Sequence, residues 1–147
     1  VQAFTKIYAV PGIRLGYGIS SDKALLERME TVRQPWSVST PAQAAGLSAL
    51  KEDHREEQTR QLVKSERERM EKELENLRIE YIPSEANFLL FNSEINWFEE
   101  LKKRGILIRD CANYRGLGNG WYRLAVRMPE ENDRLLECMK QVLNERS

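Results

Sequence analysis

The chain has 147 residues, about the size of one domain, of which 41% are hydrophobic and 31% charged. Its 23 basic and 23 acidic side chains cancel, so no long-range field draws it to nucleic acid or an anionic membrane, and neither is an expected partner. Its apolar runs are far shorter than the roughly 20 residues that cross a bilayer, so we expect a soluble, cytoplasmic protein. Cys111, Cys138 and His54 lack the spacing of a disulfide framework or metal site, so we expect no metal.

The first part of the chain has the pattern of a piece cut from a larger domain, because it begins directly in patterned sequence. The pair Pro11 and Gly12 breaks this pattern, and the alternation that follows predicts a strand over residues 14–19. Gly16 and Gly18 have no side chain to pack in such a strand. They therefore indicate a place where another backbone or a ligand comes close.

Three helices are predicted next. An amphipathic helix is expected over residues 23–33, and a small apolar helix from Pro41 to about Lys51. From Lys51 to Arg78 acidic and basic residues interleave around a narrow apolar stripe, which predicts one long helix. Its charges are typical of a solvated face; a coiled-coil partner is the alternative, although Glu66 and Glu73 interrupt the apolar seam.

The last third of the chain alternates strands and helices. The predicted strands are 78–82, 87–91, 106–109 and 121–128, and the predicted helices are one that contains Trp97 and ends at Gly105 and one that starts at Pro129. This order predicts an α+β architecture in which helices pack on a small sheet. We expect residues 45–147 to form one small domain, and residues 1–44 to be the end of a larger domain.

Two basic side chains flank the Pro-Gly turn. Lys6 follows the Thr5 hydroxyl and lies among apolar residues, and Arg14 lies in the glycine-spaced strand. A desolvated lysine keeps a neutral amine, which attacks aldehydes, whereas a fixed arginine suits a phosphate. A lysine for an aldehyde together with an arginine for a phosphate is the pair that pyridoxal phosphate requires. Ordinary solvated surface residues are the alternative.

The strand predicted over residues 121–128 carries a second cluster of cations. Because strand side chains alternate, Arg123 and Arg127 share one face, while the other face, which ends at Met128, is apolar. Two guanidinium groups on one face suit a ligand carboxylate or phosphate, and Arg109 at the end of a neighbouring strand is a third. Solvent-facing arginines on a half-buried strand are the alternative.

A glycine-rich loop over residues 110–120 separates these strands. It contains Cys111, Asn113 and Tyr114, which are candidates for contact with a substrate. A glycine loop that cradles phosphate leads into a helix, and no helix is predicted after Gly120. A mobile loop on the substrate side is therefore an equal alternative.

Together these motifs resemble a known family. The run from Thr5 to Tyr17 is similar to the cofactor-lysine segment of fold-type I pyridoxal-phosphate enzymes, in the histidinol-phosphate aminotransferase branch. Residues 84–89, Ser-Glu-Ala-Asn-Phe-Leu, resemble the Ala-Asn-Phe strand of that branch, and residues 129–133 the start of its last helix. Within the branch, residues 106–117 and 122–127 resemble the threonine-phosphate decarboxylases of cobalamin biosynthesis.

The resemblance implies a fold and a set of roles. The chain would be the C-terminal small α+β domain of a fold-type I transferase, preceded by the last strand and helix of the large α/β domain, and the complete protein would be a homodimer. Lys6 would bind the aldehyde of the cofactor, pyridoxal 5'-phosphate, with Arg14 on its phosphate and Thr5 beside it. The implied substrate-binding residues are Arg123, for the carboxylate, with Arg109, Arg127 and Asn87.

The reaction that the resemblance implies is decarboxylation of L-threonine O-3-phosphate, a small phosphorylated amino acid, to aminopropanol phosphate. A histidinol-phosphate-type aminotransferase is the alternative, and a non-catalytic α+β interaction module is the alternative from another class. Ala3 stands where the family usually has Ser or Thr, which removes one hydrogen bond to the cofactor phosphate. The family's other cofactor contacts precede its lysine, so we do not expect these residues alone to catalyse.

Overall fold

The computed structural model describes residues 1–52 and 54–146, apart from the side chain of Ile7. The chain divides into two compact units, residues 1–59 and 60–147. The expected division at residues 44 and 45 concerns the two domains of the parent fold and stays a prediction. Over the described ranges, no helix combines the length and the low polarity needed to cross a membrane.

A closed loop of chain begins the first unit. Strand β1 pairs antiparallel with β2, and the helix α1 and a 3-10 turn lie between them in sequence. The Phe4 amide donates a hydrogen bond of 3.0 Å to the Leu15 carbonyl, which closes the loop one step inside the strand pair. The elements are β1 (Gln2–Ala3), α1 (Phe4–Ile7), the turn (Pro11–Ile13) and β2 (Gly16–Tyr17).

The strand predicted over residues 14–19 is wrong except at Gly16 and Tyr17. Arg14 has a φ of 56°, in the left-handed region, where it ends the 3-10 turn and cannot continue an extended strand. The inference of close approach is confirmed at Gly16, where a Cβ would lie 2.8 Å from the Gln2 carbonyl oxygen. At Gly18 the nearest atom would be at an ordinary 3.8 Å.

Two capped helices follow in the first unit, α2 (Lys23–Val32) and α3 (Thr40–Ala49). The side chain of Asp22 caps α2, and that of Ser39 caps α3, which begins one residue before the predicted start at Pro41. All residues of α2 are exposed, including those of the apolar face of this amphipathic helix. In α3, Ala42 and Gly46 are buried.

The long helix α4 (Arg55–Asn76) is shorter at both ends than predicted, and Asp53 lies outside the described residues. Arg78, with a φ of 57°, turns the chain out of the helix, and the Ile79 amide bonds back to the Leu74 carbonyl at 2.9 Å. The predicted strand therefore cannot begin at Arg78. It begins instead at Tyr81, as β3 (Tyr81–Ile82).

The second unit is built on a four-stranded antiparallel sheet in the order β3, β4, β6, β5, which confirms the α+β expectation. One sheet face packs against the helices. Its buried side chains come from β4 and β6 (Leu89, Phe91, Tyr122, Leu124), from α4 (Met70, Leu74), from α5 (Trp97, Leu101) and from α6 (Leu135, Leu136, Met139, Val142). The remaining elements are β4 (Phe88–Asn92), α5 (Trp97–Lys103), β5 (Arg109–Asp110), β6 (Trp121–Ala125) and α6 (Pro129–Asn144).

The strand predicted over residues 106–109 is wrong except at Arg109. The amide of Ile106, which would be the first donor of that strand, is bonded to the end of α5 instead. The Ile106 amide donates to the Leu101 carbonyl at 2.9 Å, and Gly105 has the left-handed φ of 74° that this helix end requires. The strand β5 is therefore limited to Arg109 and Asp110, beside β6.

The position of Gly120 yields a test of the loop before β6. Its φ is +85°, and a Cβ there would lie 2.9 Å from the Ser93 carbonyl oxygen, whereas Gly118 has a φ of +79° and open space around it. We expect Gly118→Ala to lower the free energy of unfolding by about 1–2 kcal/mol through backbone strain alone. Gly120→Ala should cost at least about 1 kcal/mol more because of the added contact. Urea unfolding measures both, and equal losses would contradict this account.

Candidate functional site

The Lys6 segment presents its amine to solvent. Lys6 lies on the single turn of α1 and is exposed, although its apolar neighbours in sequence predicted a desolvated side chain. Phe4 takes the buried position of this turn instead, with its ring stacked on Tyr8 at a centroid distance of 4.9 Å. The expected desolvation is therefore not provided by residues 1–59, and the amine is open to a reagent.

Arg14 belongs to the same closed loop as Lys6. It is exposed and directly follows the 3-10 turn, and Thr5 is half-buried on α1. The hydrogen bond from the Phe4 amide to the Leu15 carbonyl joins the residues that are next to Thr5 and Arg14 in the sequence. One small, hydrogen-bonded substructure thus carries an amine and a guanidinium, the donor set that suits an aldehyde and a phosphate on one molecule.

The faces of β6 are confirmed over its observed length. Tyr122 and Leu124 are buried in the core, and Arg123 lies on the opposite face. The strand ends at Ala125, so Met128, expected to point inward, is 53% exposed. In the sheet register Arg123 lies directly opposite Arg109 on β5, and residues opposite each other on neighbouring strands share a face.

Aromatic rings and an amide contact these two arginines. The Arg109 guanidinium lies 5.4 Å from the centre of the Tyr114 ring and donates a hydrogen bond of 3.3 Å to the Asn113 side chain. The Arg123 guanidinium lies 5.1 Å from the centre of the Phe88 ring. Stacking of this kind uses the flat face of a guanidinium and leaves N–H groups in its plane for an anion.

Arg127 completes the cluster. Its Nε donates to Glu131 at 2.7 Å, and its guanidinium is exposed. A concavity of about 440 Å³ has all three predicted arginines in its wall, together with Arg134 on α6. Arg134 was missed by the sequence analysis, because an arginine in the first turns of a charged helix has the pattern of ordinary solvated surface.

Asn87 lies outside the wall of this concavity, at the start of β4. Its backbone carbonyl accepts a hydrogen bond of 2.9 Å from the Val126 amide, so it marks the end of the pairing between β4 and β6. The Arg67 side chain on α4 donates to the preceding carbonyl, that of Ala86, at 3.2 Å. The structure therefore groups the three arginines and leaves Asn87 directly before β4, an inner strand of the same sheet.

The loop over residues 110–120 divides the remaining candidates. Asn113 and Tyr114 are exposed, and both contact Arg109. Cys111 is only 1% exposed, and its thiol contacts the Arg109 carbonyl. Burial raises the pKa of the Cys111 thiol, and the positive charges of Arg123 and Arg109 offset this only in part. The burial of Cys111 therefore counts against its contact with a substrate.

We expect Cys111 to be inert to alkylation in the folded protein. A thiol that is buried and has a raised pKa forms little thiolate, so iodoacetamide should label it at least about tenfold more slowly than in the urea-unfolded protein. Peptide mass spectrometry with time measures the two rates. Labelling of Cys111 at the same rate in both states would show that the loop exposes it.

Comparisons with known proteins bear on this arrangement. The model of a family described as aminotransferase class I and II matches residues 1–138. The threonine-phosphate decarboxylase of Salmonella typhimurium is 39% identical over 147 residues, which cover 97% of this chain and 40% of that protein. The histidinol-phosphate aminotransferase of Symbiobacterium thermophilum is 38% identical over 147 residues, with 98% and 40% covered.

Solved structures share the fold. A histidinol-phosphate aminotransferase from Clostridium acetobutylicum superposes with a TM-score of 0.91 at 32% identity, over 97% of this chain and 45% of that one. Another, from Sinorhizobium meliloti and in complex with pyridoxal-5'-phosphate, superposes with a TM-score of 0.79 over 98% of this chain and 40% of that one; its 20% identity supports the fold alone. The fold-type I expectation is confirmed, and the chain spans between 40% and 45% of these relatives.

Proposed function

This chain belongs to the class I and II aminotransferase family, and on that premise we propose that it is the C-terminal part of an enzyme that decarboxylates L-threonine O-3-phosphate to aminopropanol phosphate. Family membership supports pyridoxal phosphate as the cofactor and counts against a non-catalytic interaction module. The observation that carries the choice of substrate is the pair of arginines that lie directly opposite each other on β5 and β6.

The residues present fit the cofactor. When bound, pyridoxal phosphate supplies an electron sink for bond breaking at Cα of an amino acid. Lys6 offers an exposed amine for its aldehyde, and Arg14 offers an exposed guanidinium for its phosphate on the same closed loop. Thr5 would add a hydroxyl beside them. Lys6 would also be the group that moves a proton at Cα of the substrate.

Three arginines around one concavity suit a substrate with more than one anionic group. Like charges directly opposite each other in a sheet repel and destabilise it, so Arg109 and Arg123 favour a ligand anion between them. L-threonine O-3-phosphate carries both a carboxylate and a phosphate. Arg123 would hold the carboxylate, as the family resemblance implies, while Arg109 and Arg127 would contact the phosphate. Fixing the carboxylate determines which bond at Cα is aligned for cleavage.

A histidinol-phosphate-type aminotransferase is the second candidate. The specific observation that favours it is the close superposition with the Clostridium acetobutylicum enzyme, at a TM-score of 0.91 and 32% identity. The identities of 39% and 38% to relatives of the two kinds are too close to separate them. In the aminotransferase the carboxylate would come only from the second substrate, 2-oxoglutarate, whereas L-threonine O-3-phosphate carries a carboxylate and a phosphate on one molecule and so suits three arginines around one concavity.

We expect pyridoxal phosphate to attach at Lys6 of the full-length protein. Reduction with borohydride should trap a covalent adduct on the Lys6 peptide, detected by mass spectrometry, because only a primary amine condenses with the aldehyde. Lys6→Arg should abolish the adduct. Lys23→Arg, which changes another exposed lysine of the same unit, is the matched control and should leave it intact. An adduct that still forms in the Lys6→Arg variant would contradict the assignment of Lys6 as the lysine that binds the cofactor.

The reaction is tested with the full-length protein and two substrates. We expect release of carbon dioxide from L-threonine O-3-phosphate without any 2-oxo acid. Arg123→Ala should lower kcat/KM about 100-fold, since charge-assisted hydrogen bonds to the carboxylate are lost. Arg115→Ala removes an exposed arginine from the neighbouring loop and should have little effect. Turnover of histidinol phosphate that requires 2-oxoglutarate, without release of carbon dioxide, would establish the second candidate instead.

A further inference from the structure

The backbone of Arg127 is held by a side chain rather than by a neighbouring strand. Beyond Ala125 the pairing of β6 with β4 ends with one bond, from the Val126 amide to the Asn87 carbonyl. At Arg127 the amide donates to Oδ1 of Asn132 at 3.0 Å, and Nδ2 of Asn132 donates to the Arg127 carbonyl at 2.9 Å. The carboxamide of Asn132 thus binds both backbone groups of one residue, as a paired strand would.

A carboxylate from another helix anchors this carboxamide. Nδ2 of Asn132 also donates to Oε2 of Glu66 on α4, at 2.7 Å, and Asn132 is 1% and Glu66 7% exposed. Arg69 donates two hydrogen bonds to the Glu66 carboxylate, at 2.7 and 3.1 Å, and a third to Asp133 at 2.7 Å. The hydrogen bonds from Arg69 lower the pKa of Glu66 despite its burial, so the anchor is charged at neutral pH.

Joining two helices through buried polar and charged groups has a cost in free energy, because these groups lose their hydration. A buried ion pair is often replaced by apolar side chains without loss of stability, and α4 and α6 already contribute Met70, Leu74, Leu136 and Met139 to the core. What the polar network adds is a fixed geometry, because a carboxamide accepts and donates along defined directions. The group whose geometry it fixes is the backbone of Arg127.

The side chain of Arg127 is fixed from the same helix. Its Nε donates to Glu131, the residue before Asn132, and Glu131 and Arg127 both lie in the wall of the concavity that contains Arg109 and Arg123. The first turns of α6 therefore determine both where the Arg127 backbone lies and where its guanidinium points. The contact of Asn132 with the Arg127 backbone and that of Glu131 with its side chain can both form without a change in the packing of the hydrophobic core.

We propose that Asn132 is a positioning residue that aims Arg127 at the anionic substrate, with Glu66 as its anchor across the helices. The inference rests on the proposed function, in which Arg127 contacts the phosphate of the substrate. Asn132 borders the concavity but is only 1% exposed, and its carboxamide is bonded to the backbone of Arg127, so we assign its effect to the position of Arg127. Its effect on substrate binding must therefore depend on the presence of the Arg127 side chain, whereas an effect on folding alone would not.

A double-mutant cycle in the full-length protein tests this dependence. Asn132→Asp keeps the acceptor for the Arg127 amide but replaces the donor to Glu66 and to the Arg127 carbonyl. We expect it to raise KM for L-threonine O-3-phosphate about tenfold with a smaller change in kcat, and to raise KM by less than about twofold when Arg127 is already Ala. An equal factor in the two backgrounds would overturn the proposal.

Two controls separate positioning from stability. Val142→Ala removes the two buried γ-methyl groups of Val142 from the same helix α6. It should lower Tm without changing KM, both in the wild-type background and when Arg127 is Ala. If Asn132→Asp loses its cooperative unfolding transition, Glu66→Gln replaces it in the same cycle. Glu66→Gln removes the charge of the anchor but leaves the Asn132 side chain in place.

The position of Arg127 can also be measured without enzyme turnover, which separates failure of this inference from failure of the proposed function. If the wild-type protein converts neither substrate, the proposed function fails, and the positioning of Arg127 is then measured by its reaction with phenylglyoxal, followed on the Arg127 peptide. We expect Asn132→Asp to change this rate about threefold or more, and Val142→Ala to leave it unchanged. Equal rates in Asn132→Asp and wild type would overturn the positioning role.

Discussion

The alternation of side chains along β6 is the constraint on which the second unit depends. Leu124 and Tyr122 fill the core between the sheet and its helices, and because successive strand residues point to opposite faces, Arg123 has no position except the far side of the sheet. The register with β5 then places Arg109 across from it. Burial of the apolar face therefore assembles the cation cluster, and a slip by one residue would exchange arginines for leucine and tyrosine in the core.

The helices supply the second half of the arrangement through polar rather than apolar contacts. The core accounts for the attachment of α6 to the sheet, but apolar contacts are tolerant of small shifts. The Glu66, Arg69 and Asn132 network is less tolerant, since the buried carboxylate of Glu66 is left with unpaired charge when a partner is removed. The two kinds of contact have different tasks: one determines that the helix docks, and the other determines the register of its first turn against the end of β6.

Much of the fold could be predicted from periodicity. The faces of β6, the start of α6 at Pro129 and the end of α5 at Gly105 follow from local pattern, and the structure agrees with each. Two of the wrong strand predictions occur where the backbone enters the left-handed region at a residue other than glycine. Arg14 and Arg78 carry no mark of this in the sequence, and at both the structure replaces a predicted strand residue with a turn.

Three arginines of the candidate site could be predicted from the sequence, whereas the side chains that hold them in place could not. Arg109, Arg123 and Arg127 could be found because guanidinium groups at strand ends are uncommon enough to notice. The sequence marks Glu66 only as a charge that interrupts the apolar seam of α4, and its role could not be predicted because its partner Asn132 lies 66 residues away. A sequence pattern shows which face of a helix is apolar, but it does not show which charged residue the fold selects for burial.

The opposition of Arg109 and Arg123 has a consequence for the sheet itself. Without a ligand, their mutual repulsion weakens the short pairing of β5 with β6, which also includes the 2.8 Å bond from the Cys111 amide to the Trp121 carbonyl. An anion that bridges the two guanidinium groups removes this repulsion, and a ligand that prefers one conformation stabilises it by mass action. If the proposed substrate bridges the two guanidinium groups, order at the edge of the sheet would depend on its concentration, and occupancy of the concavity would be linked to attachment of the loop after β5.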